Sequence, residues 1–203
     1  MNEYLPDFTP PRELLTERLA LRAWTVADTP VLKATIDRNI DHLMPWIPWA
    51  PEHPKSLDEL FVDVERFIRE FDAGFTWIYG VFRRADNALL GGIGLHPRIG
   101  PGGVEIGYWL DRDATGNGYV TEAAQALVEL SFAHQSVTHV EIRCSPSNVP
   151  SAAVPARIGF RHVYTLKPQS GRDPTVELQE SMVWRRTRRD HETDTHVNEK
   201  SPG

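Results

Sequence analysis

The chain has 203 residues, 40% of them apolar, enough to bury one substantial core but tight for two independent domains. Its formal charge of −6 speaks against a nucleic-acid partner, which would favour a basic face, and suits neutral or cationic small substrates. Cys144 stands alone, which excludes an internal disulfide, and no apolar run reaches membrane-spanning length. The opening MNEYLPDF also lacks a basic region followed by an apolar one. A cytoplasmic protein without a membrane partner is therefore expected.

Residues 1–16 are proline-spaced and weakly periodic, and read as an extended lead-in to a domain over 17–186. Arg18–Trp24 alternates, with Leu19, Leu21 and Ala23 on one side, as a first strand would. Val26–Asn39 suits a helix, with Thr25 as its cap and Asp28 in its first turn. Asp41–Pro54 carries four prolines, which forbid a long helix and hold Trp46 and Trp49 on a stiff backbone. Two readings stay open for these tryptophans: caps on the core, or walls of a substrate pocket.

Ser56–Phe71 is the clearest helix. Ser56 and Glu59 make a capping box, Leu60, Val64, Phe67 and Phe71 keep one apolar stripe, and Gly74 ends it. Phe75–Phe82 and Ala88–Leu95 follow as strands around the turn at Arg84–Asn87, and Ile99–Gly103 turns the chain back again.

Val104–Gln135 has a shape with a chemical use. A short strand, Val104–Leu110, holds Glu105 as its one charge and leads through the turn Asp111–Asn117 into a helix over Gly118–Gln135. The first amides of a helix have no partner inside it and sit at the positive end of its dipole, so they bind anions. Gly116 and Gly118 remove the side chains that would block a phosphate, although the same glycines suffice for a plain turn. The stretch is not a P-loop, because no Lys-Ser/Thr follows the second glycine. Nor is it a full dinucleotide fingerprint, whose third glycine is missing.

Beyond it, His139–Cys144 reads as a strand. A helix starts around Asn148–Ser151, with Pro150 suited to its first turn and Gly159 at its end. Phe160–Leu166 and Thr175–Trp184 read as the last strands, joined by Pro168–Pro174. Residues 187–203 lack apolar periodicity and are expected to form a disordered tail, in which His191 and His196 have no metal spacing. No metal is expected.

Four pieces in this order resemble the GNAT superfamily of acyl-CoA-dependent N-acetyltransferases, in the RimJ/RimL-type branch that modifies ribosomal-protein N-termini. They are Thr16-Glu17-Arg18-Leu19 with Leu21-Arg22, Val104-Glu105-Ile106-Gly107-Tyr108-Trp109-Leu110, Gly116-Asn117-Gly118-Tyr119-Val120-Thr121-Glu122-Ala123, and Asn148 and Ser151 followed by Ile158-Gly159-Phe160. The segment Leu43–Trp49 resembles a proline–tryptophan stretch of many members. The resemblance covers roughly Leu15 to Arg186. It implies a single-domain α+β fold: a mixed, mostly antiparallel central sheet with helices on both faces and a splayed central strand pair. Two positions depart from the family pattern. Asp113 stands where Gln or Arg is usual, and is expected to point away from the phosphates. Pro155 stands where many members carry a tyrosine acting as general acid.

The resemblance implies direct transfer of acetyl from acetyl-CoA to a primary amine. The backbone of Ile106, Tyr108 and Leu110 would pair with the pantetheine arm, while Gly116, Asn117, Gly118, Tyr119 and Val120 would hold the pyrophosphate. Asn148 would sit near the pantetheine end and Ser151 by the sulfur. Glu105 is the candidate general base through water, with a structural ion pair, for instance to Arg22, as its other reading. Trp46, Trp49 and Glu105 would frame the acceptor. Histidine as a residue type titrates near neutrality, but the sequence surroundings of His96 and His134 single out neither. Cys144 reads as a small buried apolar residue. The acceptor is expected to be a protein or peptide N-terminal α-amine. A small amine, such as an amino acid, polyamine or antibiotic, and a non-catalytic acyl-CoA-binding module stay as alternatives; a homodimer is left open.

Overall fold

A computed structural model describes Leu5, residues 7–167 and residues 180–199, with side chains described up to residue 193. The expected turn at Pro168–Pro174 and the first part of the expected strand Thr175–Trp184 lie outside the described residues.

Alternation decides the strands. Leu19, Leu21 and Ala23 are buried along β2 (Leu19–Ala23), which pairs antiparallel with β3 (Trp77–Arg83). Strand β4 (Ala88–His96) continues the meander into β5 (Gly103–Leu110), again antiparallel. Strand β6 (His139–Cys144) lies parallel to β5 because α3 (Tyr119–Ala133) carries the chain back across the sheet. Strands β7 (Arg161–Leu166) and β8 (Ser181–Thr187) close the far side. With β1 (Glu13–Leu15) on the outer edge of β2, the described strands form one sheet in the order β1-β2-β3-β4-β5-β6-β8-β7, mixed but mostly antiparallel, as the resemblance implied.

Two apolar layers cover the two faces. On one, Leu127 and Val128 of α3 pack with Tyr79, Ile93, Leu95 and Ile106 from the sheet. On the other, α1 (Thr29–Leu43) and α2 (Leu57–Ala73) bring Leu32, Ile36, Leu60 and Val64 against Phe82 and Leu89. Each such buried side chain contributes about 1.5–3 kcal/mol. The α2 capping box is present: Ser56 Oγ accepts from the Glu59 amide at 3.3 Å, and the Ser56 amide donates to Glu59 Oε2 at 2.7 Å. Gly74 closes that helix in the left-handed region at φ 73°. The helix after Thr25 begins later than Val26, because Val26–Asp28 first makes a 3-10 turn.

Both ends depart from expectation. The lead-in is not merely extended: Glu13–Leu15 adds strand β1 beside β2, and Leu5 and Phe8 are buried, with Phe8 edge-on to Trp77. The expected disordered tail is, over Arg188–Glu199, helix α5. Polar anchors hold it, which is why a search for apolar periodicity missed it. The Thr187 amide and hydroxyl both donate to the Asp190 carboxylate (3.0 and 2.6 Å), and Arg188 donates to the carbonyls of His134 and Val137. His191 stacks on Phe132 of α3. Among the described residues, no helix is long and apolar enough to cross a membrane.

Candidate active site

The parallel ladder between β5 and β6 runs from Gly103↔His139 to Ile106↔Ile142 and stops there, so the strands part beyond Ile106. The Asp111 amide donates to the Leu90 carbonyl at 2.7 Å, which fixes the phase of hydrogen bonding along β5. In an antiparallel pair successive residues point their amides to opposite sides. Residues 105, 107 and 109 therefore bond to β4, while Ile106, Tyr108 and Leu110 face β6, and the last two face the gap.

The turn after β5 is pinned from below. Asp111 is buried, and its carboxylate accepts from the Asp113 amide (3.0 Å) and from Arg38 Nε of α1 (2.8 Å). Burial alone would raise this carboxyl's pKa; those bonds more than offset it and hold it below the usual range. Asn39, also on α1, accepts from the Arg112 amide at 2.9 Å. Asp113 is itself exposed. Gly116 and Gly118 follow at φ 77° and 78°, where side-chain-bearing residues are disfavoured, and Gly118 caps α3. A Cβ at Gly116 would meet nothing within 4 Å, so the turn's conformation, not crowding, calls for glycine there. The Glu122 amide donates to the Gly118 carbonyl at 3.0 Å, opening the bonding of the helix. The preceding amides, of Tyr119 and Val120 among them, have no acceptor inside the helix.

One cation at this cradle escaped the sequence reading. Arg18, at the foot of β2, donates to Glu122 Oε2 (2.7 Å) and the Asn117 carbonyl (3.0 Å), and its guanidinium lies over the Tyr119 ring at 4.7 Å. Its Thr16-Glu17-Arg18-Leu19 motif was visible, but nothing in linear spacing ties residue 18 to residues 117–122.

On the same face, α4 (Val149–Arg157) meets the gap. Asn148 caps it, its Oδ1 accepting from the Ser151 amide at 3.2 Å. The Ser151 hydroxyl donates to the Tyr108 hydroxyl (3.2 Å), which donates in turn to the Ser151 carbonyl (3.1 Å). A side chain of β5 and one of α4 thus meet where the strands part. Pro155 sits inside α4 without ending it. Burial raises the Cys144 thiol pKa, so the thiol stays protonated at neutral pH.

The opposite face carries Glu105. It is buried, and Arg98 grips both its oxygens (2.6 and 3.1 Å), with Arg143 at 3.7 Å. Arg22, the partner considered from the sequence, instead pairs with Asp28 at 2.8 Å. Burial works against the Glu105 carboxylate, but Arg98 and then Arg143 prevail and keep its pKa below the usual range. Beside it on β4, directly across the register, stands His96. Trp49 packs edge-on to Trp109 of β5, whereas Trp46 is exposed on the same loop. A cavity of about 380 Å³ opens here, lined by Arg66 and Glu70 of α2 and by Thr76, Ile78, His96 and Arg98 among others. Neither tryptophan lines it.

A splayed strand pair, a glycine turn and a helix start with free amides together define an acyl-carrier-binding transferase fold. Residues 18–161 match the family model described as the acetyltransferase (GNAT) domain, and the chain belongs to that family. It is an acetyl-CoA-dependent N-acetyltransferase of the RimJ/RimL-like branch. The ribosomal-protein-serine acetyltransferase of Escherichia coli (strain K12) is 28% identical over 148 residues, covering 72% of this chain and 80% of that protein. The N-acetyltransferase YnaD of Bacillus subtilis (strain 168) is 27% identical over 149 residues, covering 73% of this chain and 82% of that protein. Among solved structures, RimL, a ribosomal L7/L12 alpha-N-protein acetyltransferase in complex with coenzyme A, shares the fold. It has a TM-score of 0.74 at 23% identity and covers 86% of this chain and 96% of its own.

Proposed function

We propose that this protein moves acetyl from acetyl-CoA directly to the N-terminal α-amine of a protein or peptide. The observation that carries the reading is the gap beyond Ile106, which leaves strand amides facing an open cleft next to a glycine cradle. The donor set fits the carrier: free helix amides at Gly118, Tyr119 and Val120, turn residues Gly116 and Asn117, and the Arg18 cation suit a diphosphate. Acetyl-CoA supplies an acetyl group activated as its thioester. Tyr108 and Leu110 offer backbone donors and acceptors to an extended arm, while Ile106, expected to join them, is on the last rung to β6; one of those two amides supports an oxyanion. The Tyr108–Ser151 hydroxyl pair stands in for the absent α4 tyrosine beside the sulfur, and Asn148 orients Ser151 through its cap. The site chiefly aligns two reactants and shelters charge.

The names borne by the relatives favour a protein terminus over a small amine as acceptor. Glu105 belongs to this site, but with both oxygens on Arg98 its part is electrostatic. The deciding experiment incubates the protein with labelled acetyl-CoA and a panel of Ser-, Ala-, Thr- and Met-initiated peptides, spermidine and glycinamide. Mass spectrometry should find the label on peptide α-amines. Label only on small amines would replace the acceptor class, and acetyl-CoA binding without transfer would leave a binding module.

A further inference from the structure

We infer that His96 is the general base of the transfer, its Nε2 taking the acceptor amine's proton as the nitrogen attacks the acetyl carbonyl; this rests on the transferase reading above.

The hydrogen bonds accommodate the tautomer that a base at Nε2 needs. A threonine hydroxyl has one proton, and that of Thr76 goes to the Leu95 carbonyl at 3.1 Å. In the tautomer that the base requires, Thr76 Oγ1 accepts from His96 Nδ1, 2.8 Å away. The imidazole then carries its proton on Nδ1 and its lone pair on Nε2. This is the arrangement of a base whose second nitrogen is oriented by a neighbour.

The position follows from the glycines. A Cβ on Gly94 would stand 2.9 Å from Nε2, and one on Gly107 3.5 Å from it. Side chains there would displace or cover that nitrogen; their absence leaves it over Gly107, one residue past the last rung between β5 and β6. His96 also lines the cavity on the α2 face. The lone pair therefore lies where the face open to an acceptor meets the point at which the carrier's strands part.

The charge environment keeps the ring neutral. Burial and then Arg98 bring the ring's pKa down to about 4, with Glu105 pulling the other way. Arg66 and Glu70 of α2 line the same cavity and pair with each other at 3.3 Å. At neutral pH the imidazole is neutral and able to accept. Glu105, directly across the register, favours the imidazolium once it forms.

In the step itself the amine nitrogen bonds to the carbonyl carbon and the carbon–sulfur bond breaks. The electron pair leaves on the CoA sulfur as thiolate, facing the Tyr108–Ser151 hydroxyls. The proton from nitrogen goes to His96 Nε2 and then to water through the cavity. An α-amine, whose ordinary pKa is about 7.7–8.0, arrives partly unprotonated near neutral pH, so this base need act only as the new bond forms.

The test uses the full chain, the panel above, and calorimetry with acetyl-CoA. His96→Gln should lower kcat/KM for the preferred peptide by about 10²–10³-fold, the usual worth of a positioned base, with acetyl-CoA affinity unchanged. His96→Ala should lose as much and regain activity when imidazole is added. A His96→Gln enzyme within about twofold of wild type overturns the proposal, as does failure of imidazole to restore a folded His96→Ala enzyme. If neither variant folds, Thr76→Val decides: a drop of about tenfold in kcat at unchanged acetyl-CoA affinity supports the proposal, and full activity overturns it. Wild type that binds acetyl-CoA yet acetylates nothing removes the transferase reading, and the base with it.

Discussion

The two faces of the sheet supply their halves of the proposed site by different means. On the α3 face the half is mostly backbone: amides past Ile106, glycines 116 and 118, and the open start of α3. On the α1–α2 face it is side chains: His96 from β4, Glu105 from β5, Arg98 from the loop between them, Arg66 and Glu70 from α2. A backbone half tolerates changes in most side chains but not in conformation, so glycine is its sensitive residue. A side-chain half is the reverse: the fold survives its loss while proton transfer does not.

The largest break expected is in the backbone half. Gly118 lies at φ 78°, and a Cβ there would stand 3.5 Å from an Arg18 nitrogen. Gly118→Glu would strain that turn and place a carboxylate on the amides meant for phosphate. Retention on a CoA resin should disappear, with a loss of more than about 100-fold in affinity, or about 2.7 kcal/mol. The His96 cavity, on the other face, should keep its shape. Normal retention by the mutant would mean that the cradle lies elsewhere.

The same division explains how much was readable from the chain alone. Val104–Ala133 is contiguous, so strand, turn, glycines and helix appear in order, and Asn148 and Ser151 follow at helical-cap spacing. The acceptor half is not contiguous. Thr76 and His96 stand twenty positions apart, and only the β3–β4 register brings the hydroxyl to the ring. Gly94 and Gly107 matter because they are empty, which no motif announces. Glu105 stands out in the sequence as a candidate, but its grip by Arg98 across a turn does not. Helix α5 escaped for a related reason: its anchors, Thr187–Asp190 and Arg188, are polar and bind carbonyls far away in sequence.

Next in size is an effect of acid on the side-chain half. A histidine whose folded pKa is about 4 against an ordinary 6.5 is neutral in the fold but binds a proton when unfolded, between those values. Its contribution is intact above about pH 6.5 and falls as the pH drops toward 4. Between about pH 7 and pH 5 the loss should be about 2 kcal/mol. His42, His53 and His139 are also shifted down by burial, so wild type must be compared with His96→Gln at each pH. Denaturant midpoints of the two should converge as the pH falls. Parallel curves would show that the ring is not shielded from water. Glu105, Asp28 and Glu122 have depressed pKa values, and their contribution is lost only at lower pH.

Smaller still is the effect where the two halves meet. Ser151→Ala removes one hydroxyl from the pair beside the gap but leaves its amide on the Asn148 cap. The expected loss is about tenfold in kcat, the scale of one hydrogen bond to a developing charge, with acetyl-CoA affinity and melting temperature nearly unchanged. A change in affinity without a change in kcat would move Ser151 from the sulfur to the carrier's binding.

The smallest effect belongs to Arg18, a cation on the backbone half's lip. Its guanidinium is 44% exposed and already neutralised by Glu122, so water and salt screen whatever it adds. Arg18→Ala should weaken CoA by about threefold at low salt and less in physiological salt. Two causes pull together, since the cation is lost and the Glu122 carboxylate is left facing the phosphates alone. A second change, Glu122→Gln, separates them. If it restores the affinity of Arg18→Ala, the arginine serves to mask an acid that α3 keeps for its ties to the Thr16 hydroxyl and the Arg18 amide. If it does not, Arg18 grips the diphosphate directly, and the cradle is less purely backbone than its glycines suggest.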